Sequence, residues 1–310
     1  MKTYFMRSNC FLIGAGIGIC LILPASLWAC ACGCNVFDVG THSMFSNHPG
    51  GMAFMEYDYQ NQNRNWSGTS PAAADHNNDL QIITNFTTVG YQYLFNRSWG
   101  LMGELPYWNR YWKGTDANGH IVEVNHSAVG DIRVRGIYTG LSPNLSTGLT
   151  FGLKLPSGDY TYSNLDADTE IGSGSTDLLL GGYHLGILPA NNWNWFVNAQ
   201  AQLTVLYAEG YRPGSQIDAV AGTYYDGWVI GAVKIAPLAQ VIGSYRGSDD
   251  GPLGHPTDSG FSRMLLAPGI EFDTAGFRIF ADVGFPVYQY MNGNQLVASQ
   301  LVKLNVGYHF

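Results

Sequence analysis

The last ten residues, Leu301-Val-Lys-Leu-Asn-Val-Gly-Tyr-His-Phe310, restrict the fold of this chain more than any other stretch. Val302, Leu304, Val306, Tyr308 and Phe310 alternate with Leu301, Lys303, Asn305, Gly307 and His309. Successive side chains of a strand point to opposite faces, so this spacing predicts a strand with one apolar and one mostly polar face. The strand runs to the final residue and ends on an aromatic ring. In an open sheet such a strand leaves an unpaired edge that invites association. Pairing the last strand with the first closes the sheet and removes that edge. The apolar face then meets lipid, and the polar face meets a lumen.

Composition agrees with a closed, membrane-spanning sheet. Charged residues make up 12% of the chain, aromatics 14%, and glycine supplies 39 of 310 residues. Soluble domains carry roughly 25% charge. Mean hydropathy is −0.04, which excludes a bundle of apolar helices. Alternating strands cancel in such an average and still leave few charges and many interfacial aromatics. The net charge of −8 argues against a nucleic-acid partner. The expected fold class is all-β: an up-and-down antiparallel transmembrane β-barrel of about 12 strands, the number that spanning strands of this length allow.

The N-terminus reads as a targeting segment. Lys2 and Arg7 precede an apolar run from Phe11 to Leu23, followed by Pro24-Ala-Ser-Leu-Trp-Ala-Cys-Ala-Cys32. A signal peptidase would cut after Ala29 or Ala31. The expected organisation is a signal peptide over 1–29, a periplasmic segment over 30–50 and an outer-membrane barrel over 51–310. Leu27-Trp-Ala-Cys30 is a poor acylation signal, because Trp28 is bulky where small residues are usual.

Alternation places strands at about 51–60, 79–96, 99–112, 125–139, 147–157, 174–186, 193–207, 226–235, 239–247, 261–272, 277–289 and 301–310. The connections after odd strands are long and polar (61–78, 113–124, 158–173, 208–225, 248–260, 290–298). Those after even strands are shorter (96–98, 140–146, 187–192, 236–238, 273–276). Outer-membrane barrels show this alternation of long extracellular loops and short periplasmic turns, with an even strand number. Both chain ends then lie in the periplasm.

The inward faces carry the charges. Glu56, Asp58, Glu104, Asp131, Asp177, Glu271 and Asp282 are acidic; Arg133, Arg135, Lys154, Lys234, Arg246, Arg263, Arg278 and Lys303 are basic. A charge facing lipid at mid-depth costs roughly 2–4 kcal/mol, which argues for placing them inside. Such ladders would line a narrow, polar, water-filled conduit and orient dipolar or charged solutes. Alternatively they pair with one another and fill the lumen of a small barrel. Asn164, Asp166, Asp168 and Glu170, spaced by two in an outer loop, offer oxygen ligands for Ca²⁺ or form a solvated acidic loop.

A different chemistry sits before the first strand. Cys30, Cys32 and Cys34 alternate, and His42, Met44 and His48 follow closely. Cysteines two apart close a disulfide only under strain. Soft thiolate and thioether ligands favour Cu(I), and imidazole suits copper or zinc. The segment is therefore a candidate metal site, or a contact for a periplasmic partner; the other reading is lipidated or oxidised thiols.

Two resemblances add to this reading. A terminal strand ending in Phe resembles the closing strand of outer-membrane barrels, which implies that Tyr308 and Phe310 are read by the barrel assembly machinery. Gly130-Asp-Ile-Arg-Val-Arg-Gly-Ile-Tyr138, Phe151-Gly-Leu-Lys-Leu-Pro-Ser-Gly-Asp159, Gly172-Ser-Gly-Ser-Thr-Asp-Leu-Leu-Leu-Gly-Gly-Tyr183, Ala267-Pro-Gly-Ile-Glu-Phe272 and Pro286-Val-Tyr-Gln-Tyr-Met-Asn-Gly-Asn-Gln-Leu296 form a second set. In their order they resemble the outer-membrane transporter-like family labelled for the meta-cleavage (MetA) pathway of phenol degradation. The resemblance covers about residues 130–310 and implies a bacterial outer-membrane barrel that passes small molecules. No Gly-x-Ser-x-Gly occurs, and His126 and Asp131 share a strand with no serine tied to them, so an enzyme is not expected. The functional expectation is a channel for a small polar or amphipathic solute; the alternatives are a metal-handling barrel and a structural barrel with a filled lumen.

Overall fold

The structure, a computed structural model, describes residues 50–310 apart from 75–76, 117 and 209. The expected signal peptide and the segment carrying Cys30, Cys32, Cys34, His42, Met44 and His48 lie outside the described residues.

The described residues form strands joined by turns and loops. The elements are β1 (Gly50–Gly68), β2 (Ser70–Pro71), β3 (Asp79–Leu94), β4 (Trp99–Thr115), β5 (Ile121–Val129), β6 (Arg133–Tyr138) and β7 (Thr147–Lys154). There follow β8 (Ser175–Ile187), β9 (Trp193–Tyr207), β10 (Gln216–Tyr225), β11 (Trp228–Ile230), β12 (Val233–Arg246), β13 (Phe261–Thr274) and β14 (Phe277–His309). The sheet runs β10-β9-β8-β7-β6-β4-β3-β1-β14-β13-β12 and closes through β12 onto β10. Every neighbouring pair is antiparallel.

A ring of strands that all alternate in direction must be even-numbered, so one of these elements has to reverse. It is β14. A straight strand of its 33 residues would be roughly 100 Å long at about 3.3 Å per residue. Instead the His309 N–H donates to the Gly276 carbonyl at 2.8 Å, bringing both ends together. Residues 277–291 pair with β13 and residues 291–309 with β1. The reversal falls at Asn292-Gly293-Asn294, where Gly293 has φ 75°, a left-handed conformation that a Cβ disfavours. The ring therefore holds twelve spans.

Closure involves the chain end. Met52 pairs with His309 and the register continues to Gln60 and Leu301. Gly51 N donates to Phe310 O at 2.9 Å, and Phe310 N to Gly51 O at 3.0 Å. The outer face of β4 shows the membrane band. Trp99, Leu101, Leu105 and Tyr107 are exposed there, flanked by a polar ladder in which Tyr57 donates to Asn85, Asn85 to Asn109, and Asn109 to Asn125 and Ser127. At the short-turn end, the rings of Trp99, Tyr138 and Phe151, of Phe277, Tyr308 and Phe310, and of Trp193, Tyr225 and Trp228 make an aromatic girdle. Both features match an outer-membrane barrel.

Several boundaries differ from expectation. The strand expected at 226–235 is displaced: β10 occupies 216–225, inside the expected long loop, and β12 runs unbroken through the expected turn at 236–238. The outward Ala219 and Ala221 and inward Gly222 of β10 carry too little hydrophobic contrast to mark a strand. Trp228, Val229 and Ile230, which suggested a strand, are exposed at the turn end. The strand expected at 125–139 divides into β5 and β6, both against β4. The break at 130–132 faces Pro106, which has no N–H to give to the ladder. The outer loops expected at 61–78 and 290–298 are largely strand.

Candidate functional site

The loop between β7 and β8 decides what the lumen can do. Rather than standing in solvent, it turns inward. Asp168, Thr169, Glu170 and Ile171 are all buried, which corrects the reading of an acidic solvated loop. Among the described residues no cluster is arranged to hold a metal ion, so the Ca²⁺ reading has no support.

Asp131 fastens the loop at both ends. Its carboxylate sits in the break between β5 and β6 and accepts from Gly158 N at 3.0 Å and Ser173 N at 2.9 Å. Gly158 and Gly172 touch back to back, and a Cβ on Gly172 would lie 2.4 Å from the Gly158 carbonyl carbon. The His126 ring shares a 3.0 Å contact with Asp159 and stacks on Tyr162. From β4, Arg110 reaches inward to the backbone carbonyls of Thr169 and Glu170. Sequence reading missed Arg110 as a lumen residue. Its place on the face of Glu104 and Trp108 was the available signal.

The loop delivers Ile171 into an apolar belt across the lumen. Phe86, Trp108, Phe196, Val220, Ile242, Leu265, Ala267, Ala298 and Leu301 pack with it, from strands all around the ring. Phe86 and Trp108 meet edge to face at 4.7 Å. None of these was singled out from the sequence, because an apolar residue on an inward face resembles a gap in a polar pattern.

The charged residues gather into separate clusters rather than continuous ladders. Lys154 lies 2.7 Å from Asp177 and 3.6 Å from Asp131. Arg135 pairs with Glu104. Lys303 lies 3.0 Å from Glu56 and 3.5 Å from Asp58, with Asp282 nearby and bound by Gln240. Arg278 lies 3.6 Å from Glu271 and 3.2 Å from Asp273. Arg246 pairs with Asp249, which the sequence reading did not include. Arg263 lies over the Phe261 ring at 4.9 Å. Lys234 is half-exposed at the short-turn mouth, 2.9 Å from Asp226, so it guards an opening and not the mid-lumen.

Against the loop lies a partly open pocket, about 540 Å³ of space including what opens to solvent. Asp131, Arg133, Lys154 and Arg246 line it together with Trp108, Glu170, Ile171 and Tyr211. Burial pushes the Glu170 carboxyl up to about 8, and the nearby Asp159 charge adds to this. Its Oε2 faces no hydrogen-bond partner among the described residues. A carboxyl that stays protonated at neutral pH offers a donor rather than a charge. The cavity thus combines an aromatic wall, balanced ion pairs and an uncharged hydrogen-bonding group.

Known structures share this architecture. An outer-membrane channel from Pseudomonas putida F1 superposes with a TM-score of 0.67 at 13% identity, covering 88% of this chain and 100% of that one. The β-domain of the Bordetella autotransporter BrkA superposes with a TM-score of 0.54 at 12% identity, covering 85% of this chain and 100% of that one. No family model matches the chain, and no curated protein matches it in sequence. At these identities the likeness is one of fold, and it places the chain among barrels of the bacterial outer membrane.

Proposed function

We propose that this barrel is a channel for small amphipathic solutes, with the 155–174 loop as its constriction. The apolar belt around Ile171 carries the reading. A lumen built for ions or sugars gains nothing from a ring of Trp, Phe, Ile and Leu, whereas an apolar solute body is stabilised by one. The fold-level likeness to a Pseudomonas putida channel supports a transport role, as does the motif-level resemblance to transporter-like barrels. Because the lumen bases stand beside carboxylates, the interior favours uncharged or dipolar solutes over either ion sign. We read no catalytic role: His126 is engaged by Asp159 and Tyr162 in fastening the loop.

A second reading, a structural barrel with a filled lumen, is favoured by the same buried belt and paired charges. One experiment separates the two. Cells producing the protein are tested for uptake of a radiolabelled medium-chain alcohol, and the purified protein is tested for conductance in planar bilayers. A channel gives uptake above cells lacking the protein, and Ile171→Asp lowers it about tenfold by placing a carboxylate in the belt. No uptake and no conductance would leave the filled barrel.

A further inference from the structure

The barrel wall is taller on one side. On β9, β10 and β12 the outward residues nearest the long-loop end are Tyr207, Ile217 and Tyr245, all exposed, and each strand ends within a residue of them. On β1, β3, β4 and β5 the outward face continues. Met55, Val89 and Leu105 lie in register and exposed, the last apolar row of the membrane band. Tyr57, Thr87 and Tyr107 follow. Beyond them come two polar rows: Tyr59, Asn85, Asn109 and Ser127, then Asn61, Ile83, Tyr111 and Asn125. At about 3.3 Å per residue and a tilt of about 40°, these rows stand roughly 5 and 10 Å above Tyr107.

Neither row carries an ionised side chain, although charged residues are the common choice for an exposed face. The amides are joined to one another instead. Tyr57 Oη donates to Asn85 Oδ1 at 2.7 Å, and Asn85 Nδ2 donates to Asn109 Oδ1 at 3.3 Å. Asn109 Nδ2 donates to Asn125 Oδ1 at 2.8 Å and to Ser127 Oγ at 2.7 Å. Each bond orients an amide before any ligand arrives, which lowers the entropy cost of binding. The relay ends on the exposed Asn125, which accepts through Oδ1. Its amide nitrogen keeps two donors for a ligand.

We infer that this face binds the neutral sugars of the outer-leaflet glycolipid, lipopolysaccharide. A sugar presents hydroxyl groups at its rim and C–H bonds on its ring faces. Oriented amides suit the first, and the part-apolar rings of Tyr59 and Tyr111 suit the second. Both are offered just beyond the apolar band, where sugars take over from acyl chains. The phosphates of the same lipid call for cations. The cation of the adjoining row, Lys113, is held by Glu123 at 2.8 Å. A second copy of the chain would call for an apolar interface core. Ile83 is the single aliphatic residue in the two rows. The inference needs the outer-membrane location and is independent of what crosses the lumen.

The test is native mass spectrometry of the purified barrel in a detergent without a sugar head group. Lipopolysaccharide with a complete core is compared with a form truncated before its neutral hexoses. Asn109→Ala and, separately, Asn125→Ala are measured beside the wild type, with heat-modifiable gel mobility showing that each is folded. Asn125 lies at the exposed end of the relay, so its replacement leaves the barrel wall intact. The wild type is expected to bind the complete form at least about fivefold more tightly, and each variant to bind the two forms about equally. Equal binding of the two forms by the wild type overturns the inference, as does a preference that survives both substitutions. Tighter binding of the truncated form also overturns it, because phosphate is then the group recognised. A dimer lost in both variants, without any sugar preference in the wild type, assigns the face to a second copy and overturns it as well.

Discussion

Arg110 Nη1 donates to the Glu170 carbonyl oxygen at 3.0 Å, tying the inward loop to β4 from within the barrel. Arg110 is 1% exposed, its Nε donates to Thr84 at 3.1 Å, and its guanidinium lies over Trp108 at 5.8 Å. Hydrogen bonds from a charged donor contribute about 1.5–3 kcal/mol each. Arg110→Met should therefore free the loop, raising mean single-channel conductance at least about twofold. Recordings identical to wild type would show that Asp131 and His126 hold the loop without Arg110.

The loop should also respond to pH. Burial raises the Glu170 carboxyl to about 8, reinforced by Asp159 and opposed by the Tyr162 amide and Arg110. Burial raises Asp166 as well, opposed by His255. A group whose folded value is raised stabilises the folded loop fully at low pH. That stability is lost as pH climbs from the ordinary glutamate range through about 8. Conductance should accordingly rise between about pH 6 and pH 9, the window in which Glu170 ionises. Glu170→Gln should hold the low-pH conductance across that window. If the variant titrates as the wild type does, Glu170 is not the sensor.

Lys303 stands between Glu56 and Asp58, at 3.0 and 3.5 Å, and is 2% exposed. Removing one partner of a buried ion cluster leaves uncompensated charge and costs roughly 3–5 kcal/mol. Lys303→Met should lower the urea midpoint of the folded barrel, read as the loss of its heat-modifiable gel mobility. Adding Glu56→Gln and Asp58→Asn should restore most of it. A midpoint unmoved by Lys303→Met would mean that the carboxylates are neutral in the barrel.

Phe310 separates assembly from stability. Its backbone makes two closing hydrogen bonds with Gly51, and a Cβ on Gly51 would meet its ring at 2.4 Å. Deleting Phe310 should cost the refolded barrel only about 1–3 kcal/mol, the worth of two backbone bonds. We propose Phe310 as an assembly signal, so the amount reaching the outer membrane should fall much further. Equal losses in both measurements would make Phe310 a structural residue only.

Much of the barrel was legible in the chain because strand faces alternate with a period of two. Leu301, Lys303, Asn305 and Gly307 turn inward, and Leu304, Tyr308 and Phe310 turn outward, as that period requires. β9 occupies the residues its alternation marked. β10 was hidden because alanine and glycine hardly differ in hydrophobicity, whatever face they occupy. The break between β5 and β6 was hidden because its cause, Pro106, lies on a different strand.

What the sequence by itself determined is which side of the wall the clearly alternating residues face, and that the sheet must close. Burying a charge in lipid or exposing a strand edge is costly wherever the strand sits, so these choices are local. What only the tertiary structure decided is which residues meet. Register places Lys154 beside Asp177 across the β7–β8 pair and Lys303 beside Glu56 across the closing β14–β1 pair. Closure gives the 155–174 loop a lumen to fill, so Ile171 and Glu170 become interior residues. A periodicity records a face but carries no information about the neighbour across it.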